Sequence, residues 1–476
     1  MKTRLHNFIG GKFCPPAGGT YFDDIEPATG ERIAEIPDSD ERDIDAAARV
    51  ARNAFPKWSR TPIADRSRLL LRLADLIDQN LEELAQLESR DSGKAISLAR
   101  RLDIPRAVAN FRFFGTAILH FASEAHVTDG TALNYTLRQP IGVAGLISPW
   151  NLPLYLLSWK IAPAIAAGNT CIAKPSELTP LTANRLAELS IEAGIPAGVI
   201  NIVHGYGQKA GRALTVHDDV PVISFTGGTV TGAAIAANAA PRFKKLSLEL
   251  GGKNPNLIFA DADLDDAMAT SIRSSFWNQG EICLCGSRIF VERSIYGQFV
   301  ERFVAETKKL RIGDPSDEAT DIGALISEAH VAKVTGYIDL AKQEGGKVVT
   351  GGKRVDRRGF FVEPTVITGL SCDCRVLQEE IFGPVVTITP FDREDEAIAF
   401  ANSTRYGLSA TLWTRDLQRA HRVAAAIDSG TIWINCWLLR DLRVPFGGMK
   451  ESGVGREGGF ESLNFFTETK NVCVKL

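Results

Sequence analysis

A glutamate and a cysteine carry the first chemical suggestion. Leu248-Glu249-Leu250-Gly251-Gly252-Lys253-Asn254-Pro255 puts Glu249 at the end of an apolar run, just before two glycines. Partial desolvation there raises a carboxyl pKa toward the range useful for a general base. Further along, Gly280-Glu281-Ile282-Cys283-Leu284-Cys285 offers a thiol close behind a glycine. A free cysteine is usually a small buried hydrophobe, and Cys283 taken alone reads no further than that. Two Cys-x-Cys pairs, 283/285 and 372/374, raise the question of a metal. Structural zinc spaces its cysteines by about two to four residues, and no histidine lies near either pair, so no metal is expected.

Glycine patterns suggest a nucleotide. The strict Gly-x-Gly-x-x-Gly match, Gly453-Val454-Gly455-Arg456-Glu457-Gly458, stands too near the C-terminus for an acidic residue about 20 positions on, and it reads as a flexible loop. Phe225-Thr226-Gly227-Gly228-Thr229-Val230-Thr231-Gly232 fits better, because it ends a buried strand and opens a helix whose N-terminus can face a pyrophosphate. Lys174-Pro175-Ser176-Glu177 follows another strand, where Glu177 can accept from ribose hydroxyls. A carboxylate there repels a 2′-phosphate and favours NAD over NADP.

These residues need elements to position them. Residues 62–90 read as one amphipathic helix, with Thr61 as its cap, Pro62 in its first turn, and Leu70, Leu73, Ile77, Leu81, Leu84 and Leu87 at helical spacing. A second, polar-rich helix covers about 95–120. From Pro140, apolar runs at 141–148, 170–173, 199–203, 220–225 and 246–250 alternate with helical stretches at 153–167, 180–193, 208–216 and 229–240. That alternation implies a mostly parallel sheet with helices on both faces and ligands at the carboxyl ends of its strands. A second α/β pattern follows, with strands at 256–259, 287–291, 347–350, 384–390, 407–413 and 430–435. Its helices are expected at 263–278, 294–310 and 416–428.

Composition narrows the function classes. The 476 residues are 45% hydrophobic and 23% charged, enough for a large core. Against 54 Lys and Arg stand 57 Asp and Glu, a net charge of −3, so neither nucleic acid nor a membrane surface is an expected partner. Eight cysteines are too sparse for a disulfide scaffold, and the N-terminus lacks the apolar stretch of a secretory signal. The apolar run 152–167 is broken by Lys160 and Pro163, and Cys473-Val474-Lys475-Leu476 reads as a closing strand rather than a prenylation box. The expected location is cytoplasmic.

Taken together, Glu-Leu-Gly-Gly-Lys-Asn-Pro followed by Gly-Glu-x-Cys resembles the paired signature of the aldehyde dehydrogenase superfamily. Pro149-Trp150-Asn151, Lys174-Pro-Ser-Glu177, Phe225-Thr-Gly, Glu379-Glu380-Ile-Phe382-Gly-Pro and Pro445-Phe446-Gly-Gly-Met-Lys-Glu-Ser-Gly extend the resemblance over essentially the whole chain. It implies an α/β fold with a Rossmann-like NAD-binding domain (1–121 and 140–250), an α/β catalytic domain (251–450) and a small β oligomerisation arm (122–139 and 467–476). It further implies that Cys283 is the nucleophile, that Asn151 is the side-chain donor of an oxyanion hole completed by the Cys283 amide, and that Glu249 is the base that activates water. Lys174, Ser176 and Glu177 match contacts to the adenosine ribose, and Glu380 and Phe382 match contacts to the nicotinamide ribose and ring. Trp150, Thr226, Gly227, Gly228, Gly232 and Leu250 match the rest of the cofactor cleft. Gly228 departs from the serine of many relatives, which removes one expected phosphate hydrogen bond.

Within the superfamily, Asn435-Cys436-Trp437-Leu-Leu-Arg440-Asp441-Leu-Arg443 and Asp103-Ile-Pro-Arg106-Ala-Val-Ala-Asn-Phe-Arg112 are similar to the branch acting on 2-aminomuconic and 2-hydroxymuconic semialdehydes. Arg106, Trp159 and Arg440 are then the expected substrate contacts, with the arginines anchoring a remote carboxylate. The plainer reading of either arginine is a surface ion pair, with Asp103 or Asp441 for instance. Retinal, betaine aldehyde and succinic semialdehyde are the alternative substrates. A CoA-acylating relative would lack Glu249, and a non-catalytic binding protein would not need Cys283, Glu249 and Asn151 together. A homodimer or homotetramer is expected, because the arm pairs sheet edges across subunits.

Overall fold

The computed structural model describes residues 3–476. Its first large sheet has eight strands. Lys245–Glu249, Val222–Thr226, Val143–Ile147, Thr170–Lys174 and Ile200–Ile202 lie side by side and parallel, in that order. The chain runs outward from Val143–Ile147 to one side, then returns to place Val222–Thr226 on its other side. That reversal opens a crevice at the carboxyl ends of these two strands, the usual ligand site of an open α/β sheet. Short strands Asn7–Ile9 and Lys12–Cys14 close one edge of the sheet, and Gly453–Val454 closes the other.

The second sheet has seven strands, in the order Lys347–Thr350, Thr365–Thr368, Val385–Phe391, Arg288–Glu292, Pro255–Ile258, Ser409–Trp413 and Thr431–Ile434. All neighbours are parallel except the first pair. The two sheets are joined by residues 250–254, so carboxyl ends of the first sheet face loops that feed the amino ends of the second. A three-stranded antiparallel ribbon pairs Thr467–Lys475 with Ala132–Pro140, and that strand with Ala125–Thr128. No described helix is long and apolar enough to cross a membrane.

Several elements depart from the sequence reading. The stretch 62–90 is two helices, Ile63–Gln79 and Leu81–Ser92, because the chain leaves helical geometry at Asn80 (φ −104°, ψ 22°). Thr61 does not cap the first of them. Its hydroxyl donates back to the Lys57 carbonyl at 3.1 Å, and Pro62 takes the cap position. The stretch 95–120 is helical but contains a π-turn at Ala99–Asp103 and ends in a 3₁₀ turn. The segment 453–458, expected as a loop, instead pairs Gly453–Val454 antiparallel with Leu248–Glu249 and buries Glu457. Glu41–Ser59 and Glu328–Gln343 are long helices that the apolar runs did not announce.

Candidate active site

Asn254 fixes the cysteine loop from the linker between the sheets. Its side-chain nitrogen donates to the Cys283 carbonyl at 2.7 Å and the Cys285 carbonyl at 2.9 Å, and its oxygen accepts from the Ser409 N–H at 3.1 Å. Gly251 and Gly252 permit this close approach. A Cβ on Gly251 would stand 2.4 Å from Glu380 Oε2, and one on Gly252 would stand 2.7 Å from the Cys283 carbonyl oxygen. On the far side of the loop, Asn278, Gln279 and Gly280 all take positive φ, which turns the helix Leu264–Phe276 back toward the thiol.

Asn151 follows the strand Val143–Ile147 and is 3% exposed. Its side-chain nitrogen donates to the Glu281 carbonyl at 2.8 Å, which leaves its second N–H unused. No partner is found for the Cys283 backbone N–H among the described residues. Asn151 and Cys283 both line a cavity of about 260 Å³, which they share with Trp150, His330, Glu380 and Phe382. Burial pushes the Cys283 thiol well up, helped by Glu380 and Glu249, while Arg440 pulls it down.

Glu249 ends its strand 4% exposed, with neither carboxylate oxygen hydrogen-bonded. Burial and then the neighbouring Glu457 raise its pKa well above the ordinary range, against the pull of Lys160, Arg440 and Arg456. Glu457 itself is held by Lys160 Nζ at 3.0 Å and the Ser224 hydroxyl at 2.8 Å. Glu249 and Cys283 line a narrow chamber of about 40 Å³ together with Leu156, Trp159, Arg440 and Phe446.

The expected cofactor residues mostly surround a larger cleft of about 1040 Å³ at the crevice of the first sheet. Trp150, Lys174, Ser176, Glu177, Thr226, Gly227 and Gly228 all line it. Lys174 Nζ pairs with Glu177 Oε2 at 2.9 Å. Burial disfavours the charged form of Glu177, yet the Lys174 charge and local hydrogen bonds outweigh it and hold the carboxyl below its ordinary value. Gly228 caps the helix Thr229–Ala239 with no side-chain bond to the helix N–H groups, and the Thr226 hydroxyl has no partner. Gly232 faces away from the cleft, toward Leu250, where a Cβ would meet Leu250 Cδ2 at 2.5 Å. Glu380 Oε1 accepts from the Gly252 N–H at 2.9 Å, and Phe382 (φ +62°) sets its ring edge-to-face with Trp150 at 5.4 Å. His330 and Lys333, not singled out by sequence, complete this corner, and His330 Nε2 lies 2.6 Å from the Phe382 carbonyl oxygen.

The two arginines divide. Arg440 lies 3.9 Å from the Phe446 ring centroid and 5.6 Å from that of Trp159, and among the described residues it makes no ion pair. Asp441 pairs with Arg443 instead, at 2.6 Å. Arg106 stacks over the Tyr155 ring at 5.5 Å, outside the chamber walls, while Asp103 is taken by Lys94. Among the described residues no group of three or more His, Cys, Asp or Glu could hold a metal ion.

A thiol and a buried carboxylate on one chamber, with a second cavity that reaches the same thiol and shares Thr226, Gly227 and Gly228 with a dinucleotide-sized cleft, is the arrangement of a cysteine-dependent oxidoreductase. The chain belongs to the aldehyde dehydrogenase family, whose profile spans residues 13–472. It is 56% identical to a 2-aminomuconic semialdehyde dehydrogenase of Danio rerio over 99% of this chain and 98% of that one. It is 48% identical to a 2-hydroxymuconic semialdehyde dehydrogenase of Pseudomonas sp. (strain CF600), over 99% of each. The fold superposes with a TM-score of 0.98 on the NAD+ complex of an aldehyde dehydrogenase from Bacillus cereus, at 41% identity over 99% of this chain and 97% of that one.

Proposed function

We propose that this protein oxidises a carboxylate-bearing semialdehyde, of the 2-aminomuconic or 2-hydroxymuconic type, to the acid with NAD. Arg440 is the observation that carries the substrate class. A half-buried guanidinium in the thiol's chamber, resting on Phe446 and Trp159 with no ion-pair partner among the described residues, suits a bidentate pair with a substrate carboxylate. Arg106, over Tyr155, supports the same charge from further out. The names of the relatives agree with this class.

The cleft's chemistry fits NAD. Glu177 suits a ribose diol and disfavours a 2′-phosphate, and the uncapped helix N-terminus at Thr229 with the free Thr226 hydroxyl suits a pyrophosphate. Ser176 and Trp150 wall the same cleft, while Leu250, Glu380 and Phe382 wall its inner end. Cys283 attacks the aldehyde carbon as thiolate, and the Asn151 amide and the Cys283 N–H hold the resulting oxyanion. Bound NAD supplies the acceptor for the hydride of that carbon. Glu249 then takes a proton from water, the water attacks the thioester, and the acid leaves with the thiol restored.

In this reading residues 1–121 and 140–250 form the NAD-binding domain, 251–450 the catalytic domain, and 122–139 with 467–476 an arm that joins copies into a homodimer or homotetramer. Eight unpaired cysteines support a reducing compartment, the cytoplasm. The test is Arg440→Ala assayed on a muconic semialdehyde and on a neutral aldehyde of similar size. Loss of one buried charge-assisted contact is expected to lower kcat/KM for the acidic substrate by about 2–4 kcal/mol and leave the neutral one nearly unchanged. Equal losses on both would sink the anchor.

A further inference from the structure

Glu88, Lys94 and Asp103 are fully buried behind the active site and line none of its three cavities. Burying three ionisable groups is costly, and burial raises the Glu88 carboxyl to about 7, so the cluster is a weak device for stability alone. Lys94 follows a helix that Gly93 ends in the left-handed conformation, in a turn so tight that a Cβ on Gly93 would stand 2.7 Å from the Ala324 carbonyl oxygen. The Lys94 ammonium donates to Asp103 Oδ2 and, at 2.8 Å, to the backbone carbonyl of Asn151. Asp103 ends the π-turn Ala99–Asp103, a local widening of the helix of the kind that recurs at functional sites.

Glu88 acts on the other side of the same turn. Its carboxylate accepts from the Leu154 N–H at 3.1 Å and from the Thr182 hydroxyl at 2.8 Å. Leu154 is in the first turn of the helix Pro153–Ala166, where a carboxylate is electrostatically favoured. Asn278 completes the clamp by donating to the Asn151 carbonyl at 3.0 Å and to the Glu281 carbonyl at 3.3 Å. An ammonium therefore grips the carbonyl of Asn151, and a carboxylate grips the N–H three residues on.

We propose that Lys94, held by Asp103 and opposed by Glu88, is a positioning residue that locks the Asn151 turn so that the Asn151 amide meets the oxyanion formed on the Cys283 adduct. This rests on the reading of Asn151 as the oxyanion donor. Displacement of a reacting group by about 1 Å costs on the order of 100-fold in rate, so a turn held from both sides serves catalysis directly.

The test compares Lys94→Met/Asp103→Leu, which removes both charges of the pair, in the natural and Asn151→Ala backgrounds. The readouts are the pre-steady-state burst of NADH, which reports the first hydride transfer, and NAD affinity. Asn151→Ala alone is expected to slow the burst on the order of 100-fold. The paired change is expected to slow it at least about tenfold in the natural background with NAD affinity intact, yet less than about threefold in Asn151→Ala, because groups acting through one residue are not additive. Asp103→Asn, which keeps the shape, carries the same comparison should the double variant not fold. An unchanged burst, or the same loss in both backgrounds, would overturn the positioning role. An unaffected burst in Asn151→Ala alone would overturn the oxyanion reading itself, and the positioning role with it.

Discussion

At the scale of single residues, Glu249 stood out by its place before two glycines, whereas Cys283 was singled out only by the resemblance of the paired motifs. Their supporting charges were not legible. Lys160 meets Glu457, and Lys94 meets the Asn151 carbonyl, across separations that no local spacing encodes. As the proposed base, Glu249 should also set the pH dependence. Burial and Glu457 raise its pKa, and a general base works only when deprotonated, so turnover should climb as pH rises through that raised value. Glu249→Gln should remove this limb, keep a burst of NADH, and accumulate an acyl adduct on Cys283 visible by mass spectrometry. The adduct should be absent from Cys283→Ala. If Glu249→Gln formed no adduct and lost the burst as well, Glu249 would act before hydride transfer.

At the scale of elements, the parallel core of the first sheet was readable because each strand is a short apolar run between helical stretches. Breaks in helices were harder to read. The leucine spacing runs straight through Asn80, and nothing in it marks the turn there or the π-turn at Ala99–Asp103. The helix Glu41–Ser59 did leave a signal, the reciprocal cap between Asp40 and Asp43, followed by Ile44, Ala47, Ala48 and Ala51 on one buried face. The cysteine loop shows how an element can depend on one residue. Gly280 has φ +73°, and a Cβ there would lie 2.2 Å from the Gly383 carbonyl oxygen. Gly280→Ala should therefore lower stability by about 1–3 kcal/mol or more and depress kcat, because the loop ends in the thiol. Thermal melts with single-turnover rates check this, and a fully active, equally stable Gly280→Ala would refute it.

At the scale of the whole molecule, two expectations concern conditions and assembly. Asp24 and Asp91 are buried beside each other, and burial pushes the Asp24 carboxyl up from its ordinary 3.8 to about 7. The folded state therefore binds more protons than the unfolded chain between these values. Its contribution to stability is complete below the unfolded pKa and is lost as pH rises through about 7. The melting temperature should fall from about pH 4 to pH 7 by this route and level off above it, and Asp24→Asn should flatten the slope. An equally steep slope in Asp24→Asn would place the pH dependence elsewhere. Among the described residues the ribbon strand Thr467–Lys475 pairs only with Ala132–Pro140 and lies at a sheet edge. Truncation after Phe466 should convert the proposed oligomer to monomers in analytical ultracentrifugation, and an unchanged sedimentation coefficient would remove the arm from the interface.

The edge strand Gly453–Val454 has a consequence in time. It pairs with the strand that ends in Glu249, and the same C-terminal stretch brings Phe446 and Glu457 to the chamber around Cys283. During synthesis the ribosome delivers this stretch on the order of ten seconds after the thiol has been made. Until then the chamber lacks Phe446 and Glu457, so the pocket around Cys283 and Glu249 can be complete only after the C-terminal stretch has folded onto the first sheet.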